Sequence, residues 1–547
     1  MAGPMHAGNE TPAIDPAAAR EREMGEPRAR LARTAAVSLG ALVTLTMHGY
    51  QFGESNHTVY LLDAMRRASP ELLANDWFTT QTLQYHAIFG WLTSNLVRLG
   101  ILQTAFGLGY LSLVLLLHIG WLRLVRAAGG ALATYLVSVV LFHISAAGTG
   151  LGMYQFLQDG SFLPSNIANV AMLWGVVLWV ERRWAWAGIA FGVAGLFHLN
   201  HAVVGTGLWG AMSAWSFRSI GVPPVRHGRD ARAATGFLLG TVVLVLLCGG
   251  NIVFAARAMT GAGDAMPLGE FVDLYVRLRH PHHYDPSAWP AWLFVAFAWP
   301  LPFALALAGS RDSSRGELWR FFLLFVGILV VALLGAGLFY WNERLVQMSL
   351  YRFSIYPKLI ACVAAAMLVA ERRVAKRQAA HLIGWSAVAS CVAMVVACLV
   401  RGPYLGLFRI PGDDVAYLDV ADWARQSTPA DAVFLVPPDE QGFRLHARRA
   451  IVVNFKGVPQ LGGELPEWRD RLAAVLDLPS NLRPLPRGNF ERTLAAIRAR
   501  YASLPAEHLT QVAARYGARY VVVIDRPLPG RDPVYQRGPY LLYDLAR

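Results

Sequence analysis

GYQFGESNHTVYLLDAMRRASPELLANDWFTTQTLQYH, residues 49–86, follows directly on the first apolar run of the chain. It sets Glu54, Asn56, His57, Asp63, Asp76 and His86 among Tyr50, Tyr60, Trp77, Phe78 and Tyr85. A connection of this length is more often a site or a lid than a passive link. If the run before it crosses a membrane, these acidic groups lie beside the apolar core, where an unpaired charge is costly. The same residues also describe a solvated amphipathic loop with aromatic anchors at headgroup level. Either way the stretch makes sense only at a membrane surface.

Composition agrees. Hydrophobic residues make up 55% of the chain and charged ones 16%, with a mean hydropathy of +0.37. Soluble domains carry about 25% charged residues. Cys248, Cys362, Cys391 and Cys398 all lie in apolar runs, which speaks against a disulfide framework or a cysteine metal site. The net charge of +13 falls in short segments between apolar spans, as in polytopic membrane proteins, and not in a nucleic-acid patch.

Taken from the start, 1–33 reads as a disordered cytoplasmic tail rich in Ala, Pro, Glu and Arg; it is no secretory signal. The transmembrane domain then covers 34–400. Its spans are expected near Thr34–Phe52, Ile101–Val125, Leu132–Gly148 and Pro164–Val180. Trp184–Phe217 reads as two short helices meeting at FHLNH. Further spans follow near Thr235–Ala256, Trp289–Ala308, Leu318–Phe339, Tyr351–Val369 and His381–Val400. Basic clusters at the turns give about eleven crossings, with the N-terminus inside and the C-terminus outside. Merging the short pair would invert part of that count. The outer loops are 53–100, 149–163, 257–288 and 340–350.

Beyond residue 411 the chain is charged and free of spanning runs. Helices are expected at Val415–Ser427, Leu465–Leu476, Phe490–Tyr501 and Leu509–Tyr516. Strands are expected at Ala432–Val436, Ile451–Val453, Arg519–Ile524 and Tyr540–Tyr543. This alternation predicts a small α/β domain on the outer side, which is periplasmic in a bacterium. It holds no phosphate loop, nucleophile elbow or metal cluster.

The residues able to do chemistry fall on the outer face. Glu54, Asp76 and Asp159 are candidate bases for an acceptor hydroxyl; Glu54 is equally an interfacial acid, Asp76 an N-cap and Asp159 a turn residue beside Gly160. Arg279, His280, His282 and His283 form a dense basic run able to shape a substrate or to hold a divalent metal, or simply to pack as a polar loop. His57 and His86 flank the first loop. Arg352 and Lys358 suit a phosphate or snorkel to headgroups. No nucleotide-sugar or nucleic-acid site is apparent.

The stretches NDWFTTQTLQYH, DGSFLPSN, RHPHHYDP and WARQSTPADAVFLVPPDEQGFRLHARRAIVVNFK, with acids after the first and third spans and a C-terminal outer domain, resemble the GT-C superfamily of membrane glycosyltransferases and a family of bacterial membrane proteins near it. The resemblance implies polyprenyl-phosphate-linked sugars as donors, and a cell-envelope glycan, lipid or protein as acceptor, at a bacterial inner membrane. It implies that Glu54 is the first-loop acid, Asp159 the second-loop acid and Arg352 the phosphate contact. Many relatives carry an Asp or an Asp-Glu pair where this chain has Gly53-Glu54, so Asp76 stands beside Glu54 as the base. Two rivals belong to other classes: a transporter, which calls for charges and broken helices at mid-membrane, and a scaffold whose C-terminal domain binds a partner.

Overall fold

An apolar run can leave water only if its backbone groups bond within the segment, so such runs become helices. The structure, a computed structural model, describes residues 26–84, 86–219, 228–261, 266–308, 313–374 and 415–546. Five helices among these are long and apolar enough to cross a membrane: Glu26–His48, Leu102–Ala127, Ala234–Arg257, Ser313–Leu338 and Leu350–Ala370. A sixth span results if Leu151–Gly160 and Pro164–Val180, bent by 105°, count as one.

Eleven full spans are therefore not what the described residues show. Leu132–Ile144 and Trp184–Phe197 are apolar but have 13 and 14 residues. At 1.5 Å per residue they reach about 20 Å, short of the ~30 Å hydrocarbon core. The expected span His381–Val400 lies outside the described residues. The expected tail is also shorter than read, because Glu26–Arg33 already belongs to the first helix; residues 1–25 lie outside the described residues. The helices around FHLNH do break as expected, with His198 extended (φ −148°, ψ 119°) between Trp184–Phe197 and Leu199–Ser219.

Small residues and polar pairs set how the helices pack, as membrane interiors require. A Cβ on Gly188 would sit 2.2 Å from the Gly240 carbonyl, and one on Gly240 2.5 Å from the Trp184 carbonyl. The two backbones touch there. Elsewhere Thr44 Oγ1 lies 2.8 Å from His118 Nε2 and 3.1 Å from His143 Nε2, while His118 Nδ1 lies 2.8 Å from the Tyr135 hydroxyl. His143 Nδ1 faces the Val139 carbonyl at 2.8 Å, and a carbonyl only accepts, so this nitrogen carries the proton. The direction of every other bond follows: Tyr135 donates to His118, His118 to Thr44, and Thr44 to His143. The network ties three helices together.

The first outer loop is built from short helices, His57–Tyr60, Leu62–Ala68, Trp77–Gln81 and Ala87–Arg98. It shares one apolar core with the C-terminal domain: Leu61, Phe78 and Phe89 pack in the same cluster as Phe434, Trp468 and Tyr540. That domain has helices Val415–Ser427, Leu465–Leu476, Phe490–Ala502 and Ala506–Arg515 around a five-stranded sheet. The strands are β1 (Val433–Leu435), β2 (Ala450–Ile451), β3 (Tyr520–Ile524), β4 (Tyr535–Arg537) and β5 (Tyr540–Asp544), in the order β2-β1-β3-β5-β4. β1 runs parallel to β2 and β3; β5 is antiparallel to β3 and β4. Strand β4, with one half-buried and two exposed residues, carries no periodicity to read.

Candidate active site

A cavity of about 190 Å³ opens where the outer helix ends meet the C-terminal domain. Asn56 and Tyr60 of the first loop line it, with Tyr154 and Gln158 of the second and His198 from the helix break. The π-helix Val272–Arg279 supplies Tyr275 and Arg279, and the turn after it His280, His282 and His283. Arg344, Ser349 and Arg352 close one side, and Lys456 and Gln460 of the C-terminal domain close the other. No carboxylate is among these lining residues. π-helical turns concentrate at functional sites, and here the wider turn lets His280 bond the Tyr275 carbonyl through both its backbone N–H (3.1 Å) and its Nδ1 (3.0 Å).

The cations are held by rings and backbone carbonyls, which leaves donors over. Arg279 lies between Phe455 and Phe490, 5.3 and 5.2 Å from their ring centres, and donates to the Lys456 carbonyl at 3.0 Å. Arg352 lies 4.8 Å over Tyr154, which also stacks on the ring of His283 at 4.7 Å. The Nε atoms of both arginines and Nδ1 of His282 are buried without a hydrogen-bond partner among the described residues. An arginine Nε–H can only donate. Arg279, Arg344, Arg352 and Lys456 all line the cavity, so its wall is cationic, the complement of a phosphate.

Burial lowers the proton affinity of the basic groups here. His283 is held down to about 4, and His280 and His282 well below the usual range, first by desolvation and then by neighbouring cations. Lys456 is pushed down to about 8 by burial and by Arg279. Arg279 itself is lowered to about 10 by burial.

The three candidate acids fall in different places. Asp159 reaches the cavity edge: its Oδ2 accepts from Ser55 (2.9 Å) and from Asn56 (2.7 Å), a lining residue. It adopts φ +60°, and Gly160 after it packs on the end of the first helix, where a Cβ would meet the His48 carbonyl at 2.5 Å. Asp-Gly is thus turn chemistry and site geometry together. Glu54 does not line the cavity; its charge acts on His446 of the C-terminal domain. Asp76 is fully buried away from it. Its side chain caps Thr79 N–H at 3.0 Å and pairs with Arg444 at 2.9 Å, so the carboxylate is spent on structure.

Among the other candidates, His57 is buried between Gly53 N–H and the Phe162 carbonyl. His86 bonds the Phe197 carbonyl and lines a smaller neighbouring hollow with Asp63. Lys358 is removed from the cavity, donating to the Ser145 and Thr149 carbonyls at 2.6 Å each; it holds a chain reversal and snorkels nowhere. His280 and His283 each have Nδ1 on a backbone carbonyl, which leaves Nε2 of each as the acceptor nitrogen, and Arg279 and Lys456 stand beside the run. Among the described residues no group of three or more His, Cys, Asp or Glu has the arrangement of a metal site.

Reading the sequence misses Lys456 and Arg444. Lys456 lies 177 residues from Arg279, and no motif spacing spans that distance.

Comparison with known proteins bears on the fold. A family model described as a domain of unknown function, DUF6798, matches residues 415–475. No curated protein sequence matches the chain. Among solved structures, the archaeal oligosaccharyltransferase AglB from Archaeoglobus fulgidus, in complex with an inhibitory peptide and a dolichol-phosphate, aligns with a TM-score of 0.51 at 12% identity, over 90% of this chain and 69% of that one. The apo form of the Archaeoglobus fulgidus oligosaccharyltransferase aligns at 0.47 and 12% identity over the same shares. The fold is similar to that of the archaeal oligosaccharyltransferase.

Proposed function

We propose that this chain transfers a glycosyl group from a polyprenyl-phosphate donor to a cell-envelope acceptor, on the periplasmic side of a bacterial inner membrane. The carrying observation is a cavity lined by Arg279, Arg344, Arg352 and Lys456 with no carboxylate among its described lining residues. A phosphate ester would pair with these cations, and the likeness to an oligosaccharyltransferase solved with a dolichol-phosphate supports a lipid-linked donor. The acceptor hydroxyl attacks the anomeric carbon, forming a new C–O bond as the bond from that carbon to the phosphate oxygen breaks. Polyprenyl phosphate leaves with the bonding electrons, and Arg352 and Arg279 stabilise its charge. Asp159, at the cavity edge, orients the acceptor hydroxyl and takes its proton. A divalent metal is not required by this scheme, because guanidinium groups supply the positive charge.

The experiment is transfer of label from radiolabelled polyprenyl-phosphate sugars to envelope material by membranes holding wild type, Asp159→Asn or Arg352→Ala. Loss in both variants at equal expression supports the reading. Undiminished transfer in both overturns the assigned site.

A further inference from the structure

Lys456 belongs to the C-terminal domain yet lines the cavity with the membrane-domain arginines. Its charge acts together with those of Arg279 and Asp159 and on His282 and His283. Its turn is fixed by a buried chain of bonds. Asp76 accepts from Arg444 at 2.9 Å and from Ile451 N–H at 3.2 Å. Arg444 donates onward to Asn454 Oδ1 at 3.2 Å, which also accepts from Gly457 N–H at 2.8 Å. A Cβ at Gly457 would lie 2.5 Å from Arg444 Nη1 and 2.8 Å from Asn454 Oδ1, so a side chain there would displace both groups. The same turn anchors Arg279 through the Lys456 carbonyl. Two cavity cations thus depend on one turn that the first outer loop locks in place.

We infer that Lys456 is a phosphate-contacting residue delivered by the C-terminal domain, and that Asp76, Arg444 and Asn454 are positioning residues that hold it there. The inference rests on reading the cavity as a phosphate site. It gives the C-terminal domain a share in the reaction centre, and it gives Asp76 a role at a distance from the substrate.

The test is amine acylation of Lys456 in the purified full-length protein, followed by mass spectrometry of the peptide that carries it, across pH and with inorganic phosphate or farnesyl phosphate. Only the neutral amine reacts, so labelling of wild type should be half-maximal near pH 8, below the ordinary lysine value of about 10.4. Either phosphate should slow labelling at least ~10-fold at saturation, and the one effective at lower concentration identifies a lipid headgroup or a free phosphate as the source. Asn454→Ala and Asp76→Asn should move the midpoint toward the ordinary value and weaken protection. Lys456→Ala should weaken farnesyl phosphate binding at least ~10-fold, and Lys456→Arg should restore most of it.

Labelling with an ordinary lysine midpoint and no phosphate protection overturns the inference, as does unchanged farnesyl phosphate binding by Lys456→Ala. If Asp76→Asn fails to fold, Asn454→Ala and the two Lys456 variants decide. Phosphate protection without any sugar transfer overturns the transferase and leaves this site standing. Full transfer by Lys456→Ala does the reverse.

Discussion

Arg444 Nε lies 2.9 Å from Asp76 Oδ2, an ion pair with both side chains at most 1% exposed. It joins the C-terminal domain to the first outer loop across 368 residues of chain. Removing either partner strands the other charge in a dry site, which costs about 3–5 kcal/mol. Arg444→Ala and Asp76→Ala should therefore lower the midpoint of thermal unfolding in detergent sharply. Replacing both by leucine should recover part of the loss. Recovery stays incomplete because Asp76 also caps Thr79 and Ile451.

Thr44 is the central link between His118 and His143. Thr44→Val keeps the shape but leaves a buried donor on one imidazole and an acceptor on the other unmet. Each costs about 1–3 kcal/mol, so the loss should be evident in thermal unfolding. Thr44→Ser should behave nearly as wild type.

Acid should destabilise the protein in a defined window. Burial holds His57 down to about 4 against the ordinary histidine value of 6.5, with the Phe162 carbonyl and Asp159 opposing the shift. Between these values the unfolded chain binds a proton that the folded chain refuses, so stability rises with pH across the window. The contribution is complete above about 6.5 and is lost as pH falls toward 4. It amounts to roughly 3 kcal/mol. His57→Gln should flatten the slope of unfolding free energy between pH 6.5 and 4.

Gly160 admits no side chain, being at φ +60° and against the His48 carbonyl. Gly160→Ala should displace Asp159 and reduce transfer more than Gly100→Ala. Gly100 also has positive φ but meets nothing within 4 Å, so the comparison separates crowding from backbone strain.

The reading of the sequence succeeds where periodicity and composition carry information. Val415–Ser427 and Leu465–Leu476 are helices with the expected ends, since apolar spacing and flanking turn residues mark them. The break at His198 is legible because basic clusters on both flanks demand an even number of crossings. The number of full spans is not legible, because a run of 13 apolar residues looks like a truncated span and is in fact a short packed helix. In the site, Arg279, Arg352 and the three histidines could be chosen by residue type and outer position. Asp76 could not be assigned from sequence, since capping and base chemistry use the same carboxylate, and only its pairing with Arg444 separates them. Lys358 fails for a similar reason: a lysine near a helix end gives no sign of the two carbonyls that wait for it.

The most direct test of the central claim is a structure of the protein with farnesyl phosphate bound. The phosphate is expected within hydrogen-bond distance of the guanidinium groups of Arg352 and Arg279, with the chain running out between helices. A phosphate bound elsewhere, with Arg352 and Arg279 untouched at saturating ligand, would contradict the assignment of this cavity as the seat of phosphate-linked glycosyl transfer.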